Sequence, residues 1–171
     1  MASILNVDQI NNAAGTAAAT IDSSGNVLMA GHVVQVVNVA YNTGIALNAT
    51  GSAVETGLAA TITPKSNTSK IIILANQNIQ VSGAGWGQIV LRKGTIASNT
   101  IMAIMSSPEG YTATTDESVN TIPMCYEDSP ATTSATRYFC SMELLSGSAI
   151  YSQTSTSGAS VSTMTLMEIA Q

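Results

Sequence analysis

Residues 128–145 place the tightest limit on what this chain can fold into. Pro130 lacks a backbone donor and biases Ser129 toward extended geometry, and the small polar run of residues 131–136 has little to bury. The texture then changes. Tyr138, Cys140, Met142 and Leu144 recur at a period of two, and Phe139, Ser141, Glu143 and Leu145 occupy the alternate positions. That spacing predicts a strand with one oily face and one mixed face. A strand of this kind needs a second sheet to cover its oily side.

Other segments supply the same grammar. Residues 32–41 are β-branched on both faces, and residues 55–63 alternate through Leu58, Ala60 and Ile62. Residues 70–81 form the strongest expected strand, apolar on both faces in its first half and therefore central. Residues 88–94 are expected to return on it as a hairpin. Shorter strands are expected at 100–105, 119–127, 149–154 and 161–169, with Pro123 marking an edge or a bulge. Residues 42–54 and 106–116 read as surface loops, and no segment has a convincing amphipathic helical pattern. The expected fold class is therefore all-β: an antiparallel β-sandwich, jelly-roll-like, over residues 32–171.

Residues 1–31 have a different texture and are expected to form an extended N-terminal anchoring arm. Residues 11–20 are almost entirely Asn, Ala, Gly and Thr and cannot build a core alone. Residues 21–29 read as strand, turn, strand, with Ser24-Gly25-Asn26 as the turn. Ile4, Leu5, Val7 and Ile10 need a surface to cover them, which makes them the candidate anchoring residues.

Charge excludes several functions. Only 9% of the 171 residues are charged, against about 25% in ordinary globular domains, yet 45% are apolar and 42 are Ser or Thr. Low charge suits a chain that buries surface against copies of itself. The net charge is −5, and the five cations (Lys65, Lys70, Arg92, Lys93 and Arg137) do not form the cluster that duplex DNA requires. No nucleic-acid partner is expected. No apolar run approaches the ~20 residues of a membrane span. No cation precedes Lys65, so no signal peptide of the usual kind is expected, and synthesis is expected in a cytoplasm.

Candidate chemistry is sparse. His32, the one histidine, starts a strand beside a glycine, and catalytic or zinc devices need partners at spacings that are missing here. The carboxylate pairs Asp116-Glu117 and Glu127-Asp128 could serve glycoside cleavage or bind Ca²⁺, but sequence neighbours on a strand point to opposite sides. Ser82-Gly83-Ala84-Gly85-Trp86-Gly87 lacks the Lys-Ser/Thr of a phosphate-binding loop and reads as a hairpin tip displaying Trp86. Trp86 and Tyr111 are the candidate surface-recognition residues; each could stack on a sugar or fold back on its own sheet. A bridge between Cys125 and Cys140 is open on sequence alone, although Cys140 lies on an apolar face. No catalytic residue, metal site or cofactor is expected.

An ordered set of motifs adds to this reading. It comprises His32-Val33-Val34-Gln35-Val36-Val37, Glu55-Thr56-Gly57-Leu58-Ala59-Ala60-Thr61-Ile62-Thr63-Pro64, Asn67-Thr68-Ser69-Lys70-Ile71-Ile72-Ile73, Leu91-Arg92-Lys93-Gly94, residues 128–138 and Met164-Thr165-Leu166-Met167-Glu168-Ile169. The set resembles the short tail-fibre and head-decoration proteins of tailed bacteriophages, notably marine and cyanobacterial ones. The opening Ala2-Ser3-Ile4-Leu5-Asn6-Val7-Asp8 is similar to their N-terminal arms. The resemblance implies a non-enzymatic virion protein, a homotrimer whose arm binds other phage proteins of the tail, neck or capsid and whose knob points outward. The chain has no extended shaft repeat, which favours a short fibre or a capsid decoration and cement role. A host-glycan-binding module is the alternative from a different class, and an enzyme acting on surface polysaccharide is the third.

Overall fold

In a computed structural model, residues 6–98, 100–112, 118–153 and 160–171 are described, with side chains omitted at 106–112 and 118. Among the described residues there are thirteen strands: β1 (Gln9–Asn11), β2 (Ala17–Ile21), β3 (Val27–Leu28), β4 (Val33–Tyr41), β5 (Ile45–Leu47), β6 (Ala53–Ile62), β7 (Lys70–Ser82), β8 (Gly85–Lys93), β9 (Thr100–Thr112), β10 (Ser118–Asp128), β11 (Thr136–Ser146), β12 (Ala149–Ser152) and β13 (Ser162–Ile169). Helix among the described residues is limited to one 3₁₀ turn, Ile96–Ser98.

The body is two facing antiparallel sheets. The larger one is organised around the 13-residue β7, which has strands paired along both edges. β10 pairs along its whole length on one side. On the other side β13 pairs residues 70–76 and β12 pairs residues 79–82. β4 lies outside β13, and β5 lies outside β12. The facing sheet has the order β6-β11-β8-β9. Late strands thus insert between early ones, β13 between β4 and β7 and β11 between β6 and β8. That interleaving is the jelly-roll order, and the expected all-β antiparallel sandwich is what forms.

The core lies between the sheets and follows strand parity. Ile71, Ile73 and Ala75 of β7 meet Leu58, Ile62, Tyr138 and Cys140 at one end. Ile79 and Val81 meet Ile89, Met142, Leu144 and Ile150 at the other. Between these two clusters sits a buried glutamine, Gln77, at the level where β4 gives way to β5 and β13 to β12.

Three local expectations need correction. The hairpin between residues 70–81 and 88–94 does not form, because β7 and β8 belong to different sheets. Both edges of β7 are taken, and the turn at Gly83, where φ is +77°, carries the chain across the sandwich. Residues 106–112 are strand, not loop, since β9 continues to Thr112. β9 is an edge strand with several register shifts against β8, which accommodates Pro108. The segment 42–54 contains β5, a three-residue strand. Pro123 sits in β10, an outer strand of the larger sheet, paired in continuous register with β7, as an edge proline should.

The N-terminal segment is a small sheet in the order β1-β2-β3 rather than a straight run. Its second turn falls where expected: Asp22 accepts from Ser24 N–H (2.9 Å), Asn26 N–H (2.8 Å) and Asn26 Nδ2 (2.7 Å). Those donors hold the Asp22 carboxyl below the usual carboxylate range. The segment meets the body at the C-terminus, where Gly31 N–H donates to Ala170 O (2.8 Å) and Ala170 N–H to His32 O (2.9 Å).

Candidate functional site

Trp86 is not displayed on a hairpin tip. It lies inside β8, half-buried, between the buried Gly85 and Gly87, on the outer side of its sheet. The pairs Gly85↔Thr112 and Gly87↔Glu109 bracket it, so the backbone of Tyr111 runs in β9 beside it. The structure therefore brings the two predicted recognition positions onto adjacent strands, although the Tyr111 side chain is outside the described residues. Gln88 follows on the same face and donates to Glu143 Oε2 at 2.6 Å.

The carboxylates divide. Glu127 pairs with Lys70 at 2.6 Å near the surface. Asp128 turns inward, accepting from Tyr138 Oη (2.7 Å) and Lys93 Nζ (3.0 Å), and ties the two sheets together at one end of the sandwich. Burial, and then the bond to Asp128, push the Tyr138 phenol well above its ordinary value. Asp116 and Glu117 fall outside the described residues. His32 is exposed and its backbone N–H donates to Met29 O at 2.8 Å. Among the described residues no three His, Cys, Asp or Glu side chains gather as a metal site.

The cysteines do not bridge. Cys125 is exposed on the outer side of β10, whereas Cys140 is buried between the sheets on β11. Burial pushes the Cys140 thiol up to about 12.

Two polar devices escaped the sequence reading. The first is the belt around Gln77. Thr56 Oγ1 donates to Gln77 Oε1 (2.7 Å), and Ser162 Oγ accepts from Gln77 Nε2 (3.1 Å) and Asn78 N–H (2.9 Å). The Gln153 carboxamide completes it when oriented with its nitrogen toward Thr56 O (2.9 Å) and its oxygen toward Ser162 Oγ (3.0 Å). Gln153 holds a φ of +50° to reach that position. The second is Glu168, fully buried on β13, whose carboxylate accepts from Lys65 N–H (2.7 Å), Ser66 N–H (3.3 Å) and Gln35 Nε2 (2.5 Å). The parity of Gln77 with Ile73 and Ile79, and of Glu168 with Met164 and Leu166, was the available signal. Both devices are closed by protein groups, so they hold the sandwich together and offer no open reactive centre.

The N-terminal sheet leaves several of its apolar residues uncovered. Ile10, Val27 and Met29 are exposed, Val7 is half-buried, and among described residues of the segment Ala19 alone is buried. Ile4 and Leu5 are outside the described residues.

No family model matches the sequence, and no curated protein matches it. Solved structures do. One, "Structure of infectious bursal disease virus Gx strain", aligns at a TM-score of 0.50 and 14% identity over 80% of this chain and 32% of that one. The likeness is one of fold. A second, the VP2 subviral particle of the same virus, aligns at 0.46 and 11% identity over 80% of this chain and 32% of that one. The chain spans about a third of the length of these virus proteins. The first alignment shows the fold alone, a jelly-roll-like antiparallel β-sandwich.

Proposed function

We propose that this chain is a non-enzymatic structural protein of a tailed-bacteriophage particle, a short trimeric knob held to the particle by residues 1–31. The observation that carries the reading is the fold, a packed jelly-roll in a chain that aligns over 80% of its length with a protein of infectious bursal disease virus. The N-terminal sheet supports the anchoring part. A segment with Ile10, Val27 and Met29 exposed and little interior of its own gains order and burial when it docks on another surface. The mechanism is associative, with apolar area at the contacts supplying the stabilisation.

Cryo-electron microscopy of the particle that carries the chain tests this. The expected density shows three bodies about a threefold axis, with residues 1–31 against a tail, neck or capsid protein. Density on the capsid shell would assign the decoration and cement role instead. Purified particles that lack the chain would sink the proposal.

A second reading, host-glycan recognition, has one observation in its favour: Trp86 is half-exposed on β8 beside the strand that carries Tyr111. Loss of binding to host glycans on Trp86→Ala, with the fold unchanged, would support it.

A further inference from the structure

The two outer faces of the sandwich differ in chemistry. On the β6-β11-β8-β9 sheet the outer face is charged. Arg137 lies over the Phe139 ring (4.6 Å to the centroid) and pairs with Glu55 at 2.7 Å, while Glu143 takes a bond from Gln88. On the β7 sheet the outer face reads in rows across the strands. Val36, Met167, Ile72 and Glu127 form one row, followed by Asn38, Thr165, Leu74 and Cys125. Val36 is 57% exposed, and Val119 at the far end of β10 is 67% exposed. Among the described residues the charges on this face are Lys70 and Glu127, at one end and paired with each other.

Several of its polar groups are already paired with one another. Asn38 Nδ2 donates to Thr165 Oγ1 (2.7 Å), Thr121 Oγ1 to Asn78 Oδ1 (2.5 Å) and Asn78 Nδ2 to Val161 O (2.6 Å). Groups bonded across strands lose little when water is removed, so the face can be buried at a small desolvation cost.

We infer that this outer face of the β7 sheet is the surface through which copies of this chain meet. The inference rests on the proposed self-associating knob and names its contact. A face whose described charges cancel meets the same face of neighbouring copies about the proposed threefold axis without net repulsion. Its size also fits. Four strands at ~4.8 Å spacing and ten residues at ~3.3 Å rise span roughly 600 Å² in projection, close to the ~800 Å² per partner of a stable interface.

The test combines mass and thiol footprinting on the full chain. Analytical ultracentrifugation should give a multimer in which maleimide labels Cys125 at least tenfold more slowly than in denatured chain, with buried Cys140 silent. Leu74→Glu should give a folded monomer with Cys125 reactive; Thr165→Lys, judged by near-ultraviolet circular dichroism, is the second variant should the first misfold. Trp86→Ala, on the opposite sheet, should leave the multimer intact. A multimer with freely reactive Cys125, or one unchanged by both face variants, would overturn this contact while leaving self-association standing. A monomer at every concentration would overturn self-association itself, and a dimer with Cys125 protected would keep the face and remove the trimer.

Discussion

Gly57 lies directly beneath the ring of Tyr41: a Cβ on that glycine would meet Tyr41 Cε1 at a prohibitive distance of 2.1 Å. The same residue has φ +84° and sits where three residues of β6 oppose Cys140 between the pairs Phe139↔Ala59 and Ser141↔Glu55. The bulge and the aromatic cover therefore select glycine together.

Gly57→Ala should destabilise the fold by about 2–4 kcal/mol, combining left-handed strain with the steric conflict. Chemical denaturation measures it. The double variant with Tyr41→Ala should lose less than the sum of the two single changes, since the clash is removed. Strict additivity would show that the ring does not select the glycine.

Gln77→Leu should cost roughly 2–3 kcal/mol despite placing an apolar residue in the core, because Thr56, Ser162 and Gln153 stay behind with fewer partners. Urea unfolding at constant m-value checks this. A gain in stability would mean that the belt is not satisfying its own groups.

Glu168→Gln should destabilise by about 1.5–3 kcal/mol. The carboxylate accepts from Lys65 N–H and Ser66 N–H, and an amide nitrogen placed there would face donors. Amide exchange should quicken at residues 65 and 66 before it does elsewhere. Unchanged protection there would break the link between β13 and that turn.

Alkaline pH should weaken the fold through two buried acids. Tyr138 and Cys140 are both raised in the folded state, so their contribution is complete below the unfolded values of about 10 and 8.5 and fades as pH climbs beyond them. Tyr138→Phe and Cys140→Ala should each flatten the fall in melting temperature above about pH 9. A slope unaffected by both would assign it to other groups.

Much of the architecture was legible from period-two patterning. Residues 136–145 and 70–81 announced a two-sided core because burial on one face demands alternation. The first half of β9 was expected, but its continuation over residues 106–112 was missed because an edge strand needs one neighbour and tolerates the Pro108 and Gly110 that otherwise signal a loop. The cross-sheet turn after β7 was missed because Gly-rich turns look alike whether they close a hairpin or change sheets. Gln77 sits in Asn76-Gln77-Asn78, polar neighbours that disguise an inward residue. The recognition pair Trp86 and Tyr111 came from sequence as separate loop residues, and their adjacency follows from β8–β9 register, which no local pattern encodes.

The interruption shared by β4/β5 and β12/β13 makes the sandwich a structure with a built-in fault line. Four-residue β12, with three-residue β5 outside it, pairs one end of β7, whereas eight-residue β13, with nine-residue β4 outside it, pairs the other. Under strain the short end should fray while the long end stays shut, giving a knob that yields in stages instead of failing at once.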